Sequence, residues 1–101
     1  MIVGVQPKDG SVIPGIRKWA PAYVPPIREK AFIDRIEEIC QGQSEAMARR
    51  LAKEEGLFCG ISAAAAAAVA LKVSSEVHNA TIVFIVCDRG DRYLSTGVFP
   101  G

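Results

Sequence analysis

The apolar positions of this chain fall into runs of different period, and each period predicts a different element. Ile2-Val3-Gly4-Val5 is a short unbroken run closed by Gln6-Pro7-Lys8-Asp9-Gly10, which predicts a buried strand followed by a turn. No period survives between residues 11 and 30, where Pro14, Pro21, Pro25 and Pro26 interrupt helix and ladder alike. Trp19, Tyr23 and Ile27 make that stretch too apolar for a disordered linker, so a packed loop is expected, of the kind that lines a site. Residues 32–39 carry two signals: Ile33, Ile36 and Ile39 recur at helical spacing, while the β-branched content favours a strand over 35–40, the reading adopted.

The helices are plainer. Met47, Ala48, Leu51 and Ala52 form an apolar stripe opposite Glu45, Arg49, Arg50, Lys53 and Glu54, which predicts an amphipathic helix capped by Ser44 and closed by Gly56. After the link Leu57-Phe58-Cys59, an alanine-rich helix is expected over 62–75 with Ser62 as its N-cap. It is apolar almost all round, so cover on both sides is expected. Residues 80–87 are apolar throughout and predict the strongest strand of the chain, buried on both faces of a mostly parallel sheet. Asp88-Arg89-Gly90-Asp91-Arg92-Tyr93-Leu94 follows at its carboxyl end, where open α/β sheets bind ligands.

Composition narrows the function classes. A chain of 101 residues holds one domain at most. Its 12 Lys and Arg against 11 Asp and Glu give no strong pull toward nucleic acid or anionic membrane. No apolar run is long enough to span a bilayer, and the start lacks the basic and apolar regions of a signal peptide. Cys40, Cys59 and Cys87 are odd in number and form no CxxC, which suits reduced thiols in a cytoplasm and no metal site. His78, the one histidine, reads as a solvated loop residue.

The candidate chemistry sits at Gly60-Ile61-Ser62, the head of the alanine helix. A helix N-terminus offers free amides and a positive partial charge. Methyl side chains let another backbone or a flat ligand approach. On the residues alone, a serine there is first of all a cap.

Several segments, in order, resemble one family: Val3-Gly4-Val5-Gln6-Pro7, Ile13-Pro14-Gly15-Ile16-Arg17, Met47-Ala48-Arg49-Arg50-Leu51-Ala52, Glu54-Glu55-Gly56, Gly60-Ile61-Ser62 and Asp88-Arg89-Gly90-Asp91-Arg92-Tyr93-Leu94-Ser95-Thr96. They are similar to the C-terminal third of the cysteine synthases, pyridoxal-phosphate enzymes of fold type II. The loop Pro14-Gly15-Ile16-Arg17-Lys18-Trp19 and the ending from Cys87 to Phe99 are most similar to the cysteine synthase B branch. The resemblance covers nearly the whole chain.

It implies an α/β fold: a three-layer, mostly parallel sheet with flanking helices, the C-terminal part of a tryptophan synthase β-like large domain, with residues 1–101 as one partial domain. It implies cysteine formation from O-acetylserine and sulfide or thiosulfate. It makes Ser62 the hydroxyl that meets the pyridine nitrogen, with Cys87 a small buried group at the ring edge and Asp88 fixing the turn through backbone amides. It puts Gly15, Ile16 and Arg17 on the substrate side of the site, Arg17 as a carboxylate or thiosulfate holder. Asp91 and Arg92 read as a surface pair.

Two departures stand out. Ala63-Ala64 replaces the family's usual Ser-Gly. Lys8, Lys18, Lys30, Lys53 and Lys72 lie in contexts unlike the Schiff-base motif, and the phosphate loop has no counterpart here. The chain alone is therefore expected to be inactive and to hold pyridoxal phosphate weakly. The expected partner is the N-terminal part of the enzyme or a homodimer mate, and oligomerisation is expected in isolation. The alternative is a non-enzymatic module or split subunit that binds a complementary N-terminal chain.

Overall fold

The opening run forms strand β1 (Val3–Pro7), which pairs in parallel with β2 (Arg35–Ile39). Val5 lies opposite Glu37 and Pro7 opposite Ile39. The computed structural model describes residues 1–14, 16 and 32–99, and of Arg92 and Thr96 the backbone alone. The packed loop expected around Trp19, Tyr23 and Ile27 lies outside these residues, as do Gly15 and Arg17. In β2 the side chains alternate: Arg35, Glu37 and Ile39 turn inward while Ile36 and Glu38 stay exposed. The three-residue spacing of isoleucines is thus incidental, and the strand reading holds.

Helix α1 (Gln41–Glu55) follows β2 at once, with Cys40 as the residue before its first turn. The amides at its start are served by one side chain from outside the helix and one from its own first turn. The Ser11 hydroxyl oxygen accepts from the Gln41 amide (3.2 Å), and the Gln43 side-chain oxygen accepts from the Cys40 amide (3.3 Å). The Val12 amide in turn donates to the Gln41 side chain (3.4 Å). Ser44 is therefore not the cap that the sequence suggests. It sits inside the first turn, fully buried, and its hydroxyl donates back to the Cys40 carbonyl (3.2 Å), the internal outlet for a serine enclosed in a helix. Gly56 does close α1: its φ of +66° is left-handed, and the amides of Gly56 and Leu57 both return to the Leu51 carbonyl.

Helix α2 (Ile61–Ser74) starts from Gly60 and packs against α1 and both strands. Ile61, Ala63, Ala64, Ala65, Val69 and Val73 are buried, whereas Leu71 is 50% exposed, so the all-round cover expected of this helix holds only over its first turns. At its far end Lys72 binds Glu37 (2.8 Å), and Arg35 binds Glu76 just beyond the helix (2.5 Å). The tail of α2 therefore meets the beginning of β2, the helix runs antiparallel to the strands, and its head lies at their carboxyl edge.

The strand expected over 80–87 is not formed. Residues 81–87 pair with no strand among the described residues, and Val83 and Ile85 are 80% and 71% exposed. An apolar run reports that both faces want cover; a strand also needs a neighbour to complete its ladder, and β1 and β2 pair with each other. Ile82 and Phe84 instead form one wall of an open groove of about 300 Å³ against Met47, Leu51 and Leu71. The chain then returns to the core through an antiparallel bridge between Cys59 and Arg89, a 3₁₀ helix (Gly90–Thr96), buried Val98, and Phe99, whose ring meets Phe58 edge-on at 4.8 Å. The α/β architecture of parallel strands and flanking helices agrees with the expectation.

Candidate functional site

Gly60, Ile61 and Ser62 open α2 at the carboxyl edge of the parallel pair, where loops of α/β folds assemble their sites. Gly60, not Ser62, is the N-cap, and no side chain caps this end. Ser62 is the second helical residue. Its hydroxyl is spared the capping role because Ala64 takes the Gly60 carbonyl (3.1 Å) and the chain enters the helix in extended form at Gly60 (φ −73°, ψ 171°). The side chain is nearly buried, at 8% exposure, and its Oγ lies 3.4 Å from Cys87 Sγ.

A second strand of chain crosses this helix head. The Asp88 carbonyl accepts from the Gly60 amide (3.0 Å), and the Phe58 carbonyl accepts from the Gly90 amide (3.0 Å). These bonds hold residues 87–90 beside 58–62 in antiparallel fashion. Gly60 is required by closeness: a Cβ there would fall on the Asp88 carboxylate and press on the Tyr93 ring at 3.0 Å. The Asp88 carboxylate is engaged by the Tyr93 hydroxyl, which donates to Oδ2.

Ser62, Cys87 and Asp88 are thus brought together. Cys87 differs from the expectation of a buried group: it is exposed, because residues 81–87 have no neighbouring strand among the described residues to cover it. Cys59, behind it, is fully buried; desolvation pushes its thiol above the ordinary value, helped by the nearby Asp88 and Cys87 charges. Ile16, the one described residue of the substrate-side trio, is half-buried and folds back on Ile13, whose carbonyl takes its amide (3.1 Å). Asp91 pairs with Arg89 (3.4 Å); the pair expected between Asp91 and Arg92 involves a side chain outside the described atoms.

Ala63 and Ala64, which stand in place of the family's Ser-Gly, are fully enclosed by the chain itself. Sequence reasoning quoted Gly60 and Tyr93 in its motifs but gave neither a role. Each had a local signal: a glycine immediately before a helix start marks a close approach, and an aromatic hydroxyl five residues after an aspartate is within reach of it across a turn. Among the described residues no cluster of His, Cys, Asp and Glu is arranged to hold a metal, and no helix is long and apolar enough to cross a membrane.

Residues 2–88 match the pyridoxal-phosphate dependent enzyme family. The chain is 52% identical over 98 residues to cysteine synthase B of Pseudomonas aeruginosa, covering 97% of this chain and 33% of that relative. It is 38% identical over 87 residues to O-ureido-L-serine synthase of Streptomyces lavendulae, covering 85% of this chain and 27% of the relative. Among solved structures, the cysteine synthase of Entamoeba histolytica superposes with a TM-score of 0.85 at 34% identity, over 97% of this chain and 32% of that one. The chain spans about a third of the length of these relatives. With a family match over most of its length, this chain belongs to the pyridoxal-phosphate dependent enzymes and is similar, within them, to the cysteine synthases.

Proposed function

We propose that this chain supplies the pyridine-nitrogen side of the cofactor site in a cysteine synthase B-like enzyme, forming cysteine from O-acetylserine and sulfide or thiosulfate. The observation that carries this reading is the Ser62 hydroxyl, nearly buried at the head of α2 and at the carboxyl edge of the strands, with Cys87 Sγ beside it. A thiol is a weak partner, so the hydroxyl proton remains available for a stronger acceptor. That suits a ring nitrogen, and the residues present fit pyridoxal phosphate on this side.

When bound, pyridoxal phosphate supplies the electron sink for β-elimination and replacement. Ser62 Oγ–H would donate a hydrogen bond to the ring nitrogen, its proton staying on the serine oxygen so that the nitrogen remains neutral. The positive end of α2 acts in the same direction, since it disfavours a protonated ring. Cys87 would border the ring edge, and Asp88 would hold Cys87 in place through its backbone bond to Gly60. Gly15, Ile16 and Arg17 would line the substrate entrance, where a guanidinium can hold a carboxylate or thiosulfate.

The chain alone should be inactive. The Schiff-base lysine and phosphate loop of the family have no counterpart among these residues, and those groups carry covalent attachment and most of the cofactor's affinity. The test is reconstitution. The chain is mixed with the N-terminal two-thirds of a cysteine synthase B, pyridoxal phosphate, O-acetylserine and sulfide, and cysteine is measured. Cysteine is expected from the mixture and from neither part alone. Enzyme-like turnover by the chain alone would refute inactivity, and a Ser62→Ala chain that restores full activity would refute the role of the hydroxyl.

A second reading is favoured by the bare apolar stretch at 82–86: a split subunit or interaction module whose binding of a complementary N-terminal chain is itself the function. Stable complex formation without cysteine production would favour it.

A further inference from the structure

The geometry points to Tyr93 as a positioning residue, one that sets the Ser62 hydroxyl against Cys87 by clamping Asp88 over Gly60. This deepens the proposed role of Ser62 and rests on it only for its catalytic meaning. The contacts form a closed chain. Tyr93 donates its hydroxyl to Asp88 Oδ2. Asp88 accepts the Gly60 amide through its carbonyl at 3.0 Å, while its carboxylate occupies the space that a Gly60 side chain would fill. Gly60 fixes where α2 begins, and Ser62 follows two residues later. Asp88 likewise fixes its neighbour Cys87, whose Sγ stands 3.4 Å from Ser62 Oγ.

Tyr93 is built for the task. It is half-buried, and it breaks the 3₁₀ helix in which it lies (φ −118°, ψ 15°). A residue that leaves the local helical path and spends its hydroxyl on a carboxylate is serving that contact. The backbone bond between Asp88 and Gly60 holds the chain, but a carboxylate can swing about its own side-chain bonds unless its oxygens are held. The hydroxyl restricts that swing, and the carboxylate cannot move toward Gly60 because no space is left there. The register of the 87–90 segment on the head of α2 then depends on a side chain that itself lies away from Ser62 in sequence.

A thiol ruler reads this register without any cofactor. Ser62→Cys places a second sulfur beside Cys87. Equilibration with reduced and oxidised glutathione lets the two thiols close a disulfide, while one glutathione disulfide is reduced to two glutathione molecules. The equilibrium constant is an effective concentration for the pair. Adding Tyr93→Phe is expected to lower it about tenfold, the size of a hydrogen bond to a charged group. Asp88→Ala should lower it at least as much, Asp88→Asn should preserve it within about twofold because an amide oxygen still accepts the hydroxyl, and the double variant Tyr93→Phe with Asp88→Ala should fall no further than Asp88→Ala alone. Alkylation of buried Cys59 serves as the fold control and should not change. An effective concentration unmoved by Tyr93→Phe would overturn the proposal. Where Tyr93→Phe exposes Cys59 or loses helical circular dichroism, the Asp88→Ala and Asp88→Asn pair decides instead, and equal effective concentrations in those two would overturn the proposal. None of these outcomes touches the cofactor reading, which stands or falls on reconstitution.

Discussion

Ala63, Ala64 and Ala65 on one side and Ile82, Val83, Ile85 and Val86 on the other are both strongly apolar runs, yet the structure treats them oppositely. The alanines are sealed between α1 and the strands, while all four larger residues are exposed. The difference lies in what each run requires. A helix completes its own backbone hydrogen bonds and needs only a surface to lean on. A strand completes nothing by itself. The small residues also gain from being small, since a methyl-covered helix lets α1 and the β-pair come close. The sealed side is thus self-sufficient in this chain, and the bare side is apolar surface awaiting cover.

That contrast is open to attack by mutation. The largest effect is expected at the sealed side: Ile39→Ala should cost about 2–5 kcal/mol in urea unfolding followed by circular dichroism. Val83→Ala should stay within about 0.5 kcal/mol, and an equal loss at both sites would dissolve the distinction. Gly60→Ala should cost about 1–3 kcal/mol, because the new methyl falls on the Asp88 carboxylate and the two segments must part. Ala64→Gly should cost about 1 kcal/mol through helix propensity, showing that restoring the family's glycine weakens this helix. Val83→Lys combined with Ile85→Lys should leave stability within about 0.5 kcal/mol while shifting sedimentation toward smaller species; unchanged association would mean that the bare run is not where copies meet.

The smallest expected effect is electrostatic. The Arg35 guanidinium beside Glu76 pulls its carboxyl below the ordinary 4.5, and Lys72 followed by Arg35 does the same to Glu37. Lowered folded values mean that this stabilisation is present above pH 4.5 and fades as the pH falls below it. All these groups are accessible to solvent, so the acid limb should be shallow, and salt should flatten it further. Glu76→Gln should remove part of that limb in a thermal melt series. At the opposite end of the scale, Cys59 should resist iodoacetamide until the chain unfolds, because burial raises its thiol.

The helices, the first strand and the closing glycine of α1 were legible because each is decided within a few neighbouring residues. Gly56 is an example: a glycine after an apolar stripe has one common use. The misreadings share a cause. Ser44 and Ser62 both have the chemistry of a cap, but which residue caps a helix depends on where the preceding chain arrives. Cys40 comes straight from β2 and Gly60 comes extended from a bridged segment, so the helix starts move upstream and both serines fall inside. The stretch at 80–87 reads as a strand because its composition is that of one; whether it pairs is decided by a neighbour that no local pattern contains. At the site, the nearness of Ser62 and Cys87 came with the family resemblance, which put both on the pyridine side. Tyr93 did not, because its contact depends on a break in its own 3₁₀ helix.

Ser11 and Val12 bond with Gln41 across the stretch that leads from β1 through β2 to α1: the Gln41 amide donates to the Ser11 hydroxyl, and the Val12 amide donates to the Gln41 carboxamide. The two ends of that connection are buckled together independently of what lies between them. Extending a closed loop is cheap, about 0.6 kcal/mol for each doubling of its length. Residues inserted between the buckle and β2 should therefore leave the start of α1 where it is.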